Sequence, residues 1–460
     1  MAHALRLARL GSYTTHPNPR VGCVLVDPVT DEVIATGFHV RAGEGHAEVN
    51  ALAAAGEQAL GCVAYVTLEP CSHTGRTGPC SRALIAAGIS RVVIAMRDPN
   101  PQVAGRGIAM LQGAGIAVTV GVLEQEARAL NPGFLSRMER GRPFVRLKQA
   151  MSLDGRTAMA SGESQWITGP EARSAVQRLR ARSSVVMSGI ESVIFDDSRL
   201  NVRAEQLGLE AHPLGLEALV TRQPLRVVVD THLRLPLAAR ILEQDGRTLV
   251  VCVADETAAQ AERRRLLEAA GAEVLALPAG PEGRVDLEAL LRHLAEHEQA
   301  NEVLLETGAV LAGAMLSAGL VDEMQLFMAP TLLGGEARPL LALPGLEHMA
   351  QQRRVEIREI RAVGRDWRIT AVPDKDLPLS GDSGVAGRWR KTGWRGTLTP
   401  DFLITRVGRA TVGAVRNVEQ AWRYQASQHS SRISGRARWS SSWMTRIVRT
   451  KATSSSPRKP

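Results

Sequence analysis

At 460 residues and 44% hydrophobic composition, the chain can bury two or three domain cores, yet no run approaches the ~18 apolar residues of a membrane-spanning helix or forms a secretory signal. The net charge of +9 is not a nucleic-acid footprint: residues 374–460 hold 17 Lys+Arg against 5 Asp+Glu, whereas residues 1–373 hold 39 against 42. Five cysteines (23, 62, 71, 80 and 252) are too few for a disulfide framework over this length, so the reducing cytoplasm is the expected compartment.

In chain order, Ala2 to Gly11 reads as a first helix. His46 to Leu60 is Ala-rich and stops at Gly61, as a helix with a C-terminal glycine should. Val63 to Leu68 is β-branched and apolar, a buried strand that delivers Glu69-Pro70-Cys71 at its end. Cys80 to Gly88 follows as a helix and Arg91 to Met96 as a strand. Gly141-Arg142-Pro143 marks a boundary, after which Phe144–Leu147, Leu225–Asp230, Thr248–Val253 and Asn301–Glu306 read as strands of a second alternating α/β unit. Residues 200–225 and 277–285 read as loops. No internal repeat links the halves. The expected domains are 1–141, 142–373 and a basic tail, 374–460. That tail carries five of the seven tryptophans and is expected to be disordered or an out-of-frame continuation.

His46-Ala47-Glu48 followed by Cys71 and Cys80 is the strongest chemical signal. One imidazole and two thiolates hold zinc while leaving a position for water, whose pKa the metal lowers; a structural zinc site would use four ligands. A carboxylate two residues from the histidine can carry a proton from that water to a departing amine. Glu48 is therefore the expected acid–base residue, and His46, Cys71 and Cys80 the metal ligands. The usual spacing in zinc deaminases is P-C-x-x-C, but here eight residues separate the cysteines. Two glycines and a proline make that insert a loop able to bring both thiolates to one metal. Its His73 is a rival ligand, ranked below His46. The metal is expected between two helix N-termini, which favour thiolate over thiol. Two incidental buried cysteines beside a helix histidine would be the plain alternative.

The second half has no G-x-G-x-x-G opening a βαβ unit, which argues against a standard dinucleotide fingerprint. Glu306-Thr307-Gly308 through Gly313 instead runs from a strand end into a helix, where backbone N–H groups can hold a cofactor phosphate; glycines kept for close packing are the plain alternative. Lys148, Arg180 and Arg203 offer donors to a substrate phosphate, although most isolated arginines are solvated surface charges.

These stretches resemble the bacterial bifunctional riboflavin-biosynthesis deaminase/reductase family. The matches are residues 15–23 (THPNPRVGC), 43–48 (GEGHAE), 67–77 (TLEPCSHTGRT), 98–101 (DPNP), 148–166 (KQAMSLDGRTAMASGESQW), 195–203 (FDDSRLNVR) and 306–333. The eight-residue cysteine gap is a feature of that family. The resemblance implies an α/β fold, with a cytidine-deaminase-like three-layer domain followed by a dihydrofolate-reductase-like domain that uses NADPH. It implies zinc-dependent deamination of 2,5-diamino-6-(5-phosphoribosylamino)pyrimidin-4-one, then reduction of the ribosyl group to ribityl. By the same carry-over Ser164, Arg180, Leu200, Arg203 and Glu306 contact substrate; Lys148 is a candidate partner for its phosphate, and Asn18 and Asn100 are expected to hydrogen-bond its ring or ribose, a turn role beside their prolines being the plain alternative. Ala150, Trp166, Ser192, Asp196, Thr231 and the loop of Gly308, Ala309, Val310, Leu311, Ala312, Gly313 and Ala314 contact NADPH. Thr307 and Val310 depart from the family's Gly and Pro, and Ser192 from its frequent Thr. No nucleic-acid or membrane partner is expected, and a homo-oligomer is. Two rival readings are a nucleic-acid base deaminase gripping single strands with its basic tail, and a non-enzymatic zinc module.

Overall fold

Short apolar strands alternating with helices build a five-stranded sheet, a nine-stranded sheet and one two-stranded pair in the computed structural model, which describes residues 1–374 apart from 73–77, 102, 221 and 255–256. The first half runs α1 (Ala2–Ala8), β1 (Gly22–Val26), β2 (Val33–Phe38), α2 (Ala47–Ala55), β3 (Val63–Val66), α3 (Cys80–Ala86), β4 (Arg91–Ile94), α4 (Arg106–Gly113), β5 (Ala117–Val120), α5 (Glu124–Leu130) and α6 (Pro132–Arg140). Its sheet has the order β2-β1-β3-β4-β5, antiparallel around β1 and parallel from β3 to β5. One core packs sheet residues such as Leu25, Ala64 and Ile94 against Ala51, Leu84 and Leu111 of α2, α3 and α4. A separate core gathers Leu5, Ala127 and Leu135 of α1, α5 and α6 beneath Leu68 and Met96. Two cores flanking one sheet make the expected three layers.

Local sequence explains the placement of α2. A Cβ on Gly37 would come within 2.4 Å of the Ala47 carbonyl oxygen and 2.5 Å of the Ala51 nitrogen, so only glycine lets this Ala-rich helix lie on β2. The helix ends sooner than the run to Leu60 predicts. Gly56 takes φ 55°, and a 3-10 turn, Gly56–Ala59, completes the segment.

The second half runs β6 (Phe144–Ser152), β7 (Arg156–Ala158), α7 (Pro170–Arg182), β8 (Val185–Gly189), α8 (Ile190–Asp196), α9 (Leu216–Leu219), β9 (Leu225–Val229), β10 (Thr248–Val253), α10 (Ala258–Ala269), β11 (Glu273–Leu277), α11 (Leu287–Glu296), β12 (Glu302–Glu306), α12 (Ala309–Ser317), β13 (Glu323–Ala329), β14 (Arg338–Pro339), β15 (Val355–Val363) and β16 (Asp366–Pro373). Nine strands pair in the order β11-β10-β9-β8-β12-β6-β13-β16-β15, parallel from β11 to β13 and antiparallel beyond. Alternate residues face opposite cores: Met187, Val227 and Leu305 one, Val186, Val228 and Leu304 the other. That two-sided burial explains the near-continuous apolar strands. The supposed loop 200–225 also holds a 3-10 turn, Ala204–Gln206, and α9, anchored by fully buried Leu207. Ala279 and Val285 pair across the supposed loop 277–285. Among the described residues, no helix is long and apolar enough to cross a membrane.

Candidate active sites

His46 caps α2 in extended backbone conformation and Cys80 opens α3, while Cys71 follows β3. Their ligand atoms all lie within 4.8 Å of one another. His46 Nδ1 is 3.3 Å from Cys80 Sγ and 3.6 Å from Cys71 Sγ, and the Cys80 N–H donates to Cys71 Sγ at 3.3 Å. One borderline nitrogen and two soft sulfurs fit zinc, and the backbone amide adds the donor a thiolate needs. A hydrogen bond from Cys80, reinforced by His46, lowers Cys71 to about 4. The same bond, with burial, pushes Cys80 up, as expected of two thiols sharing one proton. His73 lies outside the described residues.

Glu48, in the first turn of α2, is only 3% exposed. Burial raises its carboxyl to about 7, near the value that best serves a proton shuttle at neutral pH. Asn18 Nδ2 lies 3.1 Å from His39 Nε2, and His39 Nδ1 lies 3.1 Å from the Gly45 carbonyl oxygen. The buried His39 ring stands edge-on to His46 with centroids 5.2 Å apart. Sequence reading missed His39, which sits at the end of β2 with no spacing motif to mark it. Asn100 lies on the loop after β4, where its N–H donates to Asp98 Oδ1 at 2.8 Å. Glu69, the third acidic residue of the motif region, has a different task. Its buried carboxylate accepts the backbone N–H groups of Asp98, Gly105, Gly107 and Ile108 at 3.0–3.3 Å, organising the turn into α4.

In the second half, most of the expected contacts gather where parallel strands end, the edge at which open α/β sheets bind ligands. Lys148 and Ala150 lie on β6, Ser192 and Asp196 on α8, Thr231 after β9, and Glu306 closes β12. The Gly308 N–H donates to Ser192 Oγ at 2.9 Å, and Ser164 Oγ donates to Asp196 Oδ1 at 3.0 Å. Thr307, where the family has glycine, accepts the Gly189 N–H at 3.2 Å and so joins the ends of β8 and β12. Within the 308–314 stretch, Gly308 and Val310 are exposed and Ala312 and Gly313 buried. A Cβ on Gly313 would come within 1.9 Å of the Ala342 carbonyl oxygen, so packing requires that glycine whatever binds nearby. Trp166 is 67% exposed beneath the Arg173 guanidinium and is no core residue. Leu200 is buried.

Arg180 is not a free surface charge. Its guanidinium donates to both oxygens of Glu306, at 2.5 and 3.0 Å, and Lys148 lies 3.7 Å from the same carboxylate. Burial opposes the Glu306 charge, but Arg180 and Lys148 hold its carboxyl below the ordinary range. Arg203 makes no ion pair among the described residues, and donates to Gln206 Oε1 at 3.2 Å. Burial, then Arg180 and Arg199, lowers its pKa. It is the cation of this group best placed to gain from an arriving dianion.

The opposite edge of the second sheet meets the first half. Buried Glu302 accepts from Arg20 and Arg146, each at 2.7 Å, with Arg182 at 3.3 Å.

Two family models match the two halves of the chain. The cytidine and deoxycytidylate deaminase zinc-binding region matches residues 1–96, and the RibD C-terminal domain matches residues 143–369. The riboflavin biosynthesis protein RibD of Escherichia coli (strain K12) is 50% identical over 366 residues, covering 80% of this chain and 96% of its own length. That of Haemophilus influenzae is 46% identical over 374 residues, covering 81% and 96%. Among solved structures, Acinetobacter baumannii RibD, form 1, superposes with TM-score 0.73 at 46% identity, covering 81% of this chain and 98% of that one. The diaminohydroxyphosphoribosylaminopyrimidine deaminase/5-amino-6-(5-phosphoribosylamino)uracil reductase of Thermotoga maritima gives TM-score 0.68 at 29% identity, covering 81% and 97%. The expected fold class is borne out.

Proposed function

The chain belongs to the RibD family of riboflavin-biosynthesis proteins, bifunctional enzymes with a zinc-dependent deaminase and a reductase, and from that premise we propose the substrate and the residues that serve each step. The substrate is 2,5-diamino-6-(5-phosphoribosylamino)pyrimidin-4-one, a small free molecule. The name of the Thermotoga maritima relative, which pairs that deamination with reduction of the resulting uracil, supports this choice.

His46, Cys71 and Cys80 hold zinc, which when bound supplies Lewis acidity and a water acidic enough to deprotonate near neutral pH. Glu48 takes a proton from the attacking water and returns it to the amine leaving C2, so ammonia departs neutral. Asn18 and Asn100 hold the ring and ribose by hydrogen bonds. The observation that carries this step is the convergence of the three ligand atoms within 4.8 Å beside a carboxyl poised at about 7.

For the reductase the proposed cofactor is NADPH, which supplies the hydride that turns the ribosyl group into a ribityl chain at C1′. The backbone N–H groups in the first turn of α12, from Ala309 to Leu311, offer donors to its phosphates, and Ser192, which accepts from the Gly308 N–H, shapes that turn. Ala150, Trp166, Asp196, Thr231 and the rest of the 308–314 segment complete the cofactor site. Arg203, with Lys148 and Arg180, receives the substrate phosphate, while Ser164, Leu200 and Glu306 line the same pocket. No side chain is assigned as a hydride-step acid.

The proposed domain limits are 1–141 and 142–373. A reducing cytoplasm suits thiol ligands, and all five cysteines are free. A homo-oligomer is proposed because β15 is exposed along nearly its whole length, with Val355, Ile357 and Ile360 each about half exposed beside Trp367. The whole scheme is tested by incubating zinc-loaded protein with the diamino substrate, with and without NADPH. Ammonia release without NADPH, and NADPH oxidation only after deamination, is the expected order. NADPH consumption without prior ammonia release would contradict it.

A further inference from the structure

The loop that carries Asn18 is held in place by the other catalytic half. Thr15 to Arg20 contains Pro17 and Pro19, which have no N–H to donate, so the middle of the loop has few main-chain donors of its own. Within the first half its ends are fixed by Thr15 bonding to the Gly11 carbonyl and by Arg20 bonding to Asn131 and the Leu130 carbonyl, while its middle has the Asn18 N–H to Thr15 carbonyl bond at 2.8 Å, the Asn18–His39 contact and a long bond from Arg137 to the Pro17 carbonyl at 3.4 Å. Its other face is clamped three times from the N-terminal edges of β8 and β12. His16 Nδ1 lies 3.0 Å from Ser184 Oγ, Asn301 Nδ2 donates to the Pro17 carbonyl oxygen at 2.9 Å, and Arg20 pairs with Glu302. A small cavity lined by His16, Asn18, Arg20, Ser184, Asn301 and Glu302 among others lies at the joint.

We propose that Asn301, on the reductase side, is a positioning residue for deamination: its amide fixes the Pro17 carbonyl and thereby the Asn18 side chain at the zinc site. The proposal rests on Asn18 contacting substrate. Asn301 is the informative member of the clamp because its side chain can be changed while its main-chain bonds remain. Its N–H still donates to Ser184 Oγ and its carbonyl oxygen still accepts from the Phe144 N–H. Ser184 and Glu302 each serve several partners, so changes there disturb more than the loop. Misplacement of a binding group by about 1 Å can cost on the order of 100-fold in rate, so losing the shorter of the two bonds to the Pro17 carbonyl, with the 3.4 Å bond from Arg137 left in place, is expected to cost roughly tenfold.

The test measures both half-reactions and zinc content in Asn301→Ala, Asn18→Ala and the double variant of the full chain, with Asn301→Ser as a second substitution should alanine impair folding. Ammonia release by Asn301→Ala should show kcat/KM reduced about tenfold, carried mainly by KM, with full zinc and with NADPH oxidation on pre-deaminated pyrimidine unchanged. The double variant should match Asn18→Ala alone, because both act through one contact. Wild-type deamination by Asn301→Ala beside an impaired Asn18→Ala would overturn this proposal only, as would additive losses. An unimpaired Asn18→Ala would overturn the substrate role of Asn18 as well. A parallel fall of both activities would reduce Asn301 to a structural residue and overturn the proposal too.

Discussion

Glu302 and Arg20, 282 positions apart, pair at 2.7 Å with side chains only 3% and 11% exposed. Arg146 and Arg182 share the same carboxylate. Burial opposes its charge, but the three guanidinium groups hold Glu302 well below the ordinary range. Removing one partner of a buried ion pair usually costs about 3–5 kcal/mol, because the stranded charges stay desolvated. Glu302→Ala should therefore lower the unfolding free energy by an amount in that range, read from a lowered denaturant midpoint, and Glu302→Gln by less, since the amide oxygen still accepts. An unchanged midpoint in Glu302→Ala would show that the network adds nothing net to stability.

Glu48 and its metal-binding neighbours separate the two activities cleanly. Glu48→Gln keeps shape and ligands but cannot carry a proton, and a positioned acid–base group contributes about 10²- to 10⁴-fold. Ammonia release should fall by that factor with zinc content intact. Cys71→Ser should lose zinc as well as ammonia release. Both variants should oxidise NADPH normally on pre-deaminated pyrimidine. If Glu48→Gln deaminates at the wild-type rate, another group moves the proton.

Much of the zinc site was legible in the chain because its residues lie within 35 positions and their chemistry is narrow. A histidine two residues before a carboxylate, then two cysteines after a buried strand, suits few other purposes. Strand positions were legible for a related reason, since burial on both faces demands apolar runs such as Val227-Val228-Val229. What stayed hidden depends on partners distant in sequence. His39 has no local marker and acquires meaning only beside Asn18 and His46. Glu69 shows no sign of its task in the sequence, because its carboxylate is consumed by four backbone N–H groups contributed from residues 98–108. Arg180 read as a donor to a substrate phosphate, and its commitment to the Glu306 carboxylate is set by a partner 126 positions away. The expectation for the tail falls outside the described residues.

Arg203 and Arg180 should respond differently to removal. Arg180 is committed to Glu306, whereas among the described residues the Arg203 guanidinium has only the Gln206 amide oxygen as a side-chain partner. A charge-assisted hydrogen bond to a ligand is worth about 1.5–3 kcal/mol, roughly 10- to 150-fold in binding. Arg203→Ala should raise the reductase KM for the phosphorylated substrate within that range while kcat changes little. Arg180→Ala should in addition destabilise the fold, because Glu306 keeps only Lys148 at 3.7 Å. A normal KM in Arg203→Ala would place the phosphate elsewhere.

His16 makes the joint between the halves sensitive to acid. Burial first, then the nearby Arg222 and Arg137, lowers its pKa from the ordinary 6.5 to about 3. Between those values the unfolded chain binds a proton that the folded one refuses, so stability is complete above about pH 6.5 and declines as pH falls toward 3. From pH 7.5 to 5.5 this single group removes up to about 1.4 kcal/mol. His39, also lowered by burial, acts with the same sign, and Glu302 joins only below the ordinary carboxylate range. The contribution of His16 is therefore isolated as a difference: His16→Asn should flatten the decline in unfolding free energy between pH 7.5 and 5.5 by about that amount relative to the unmodified chain. Parallel pH profiles for the two proteins would mean that His16 titrates normally in the folded state, with its ring open to water rather than closed against Ser184.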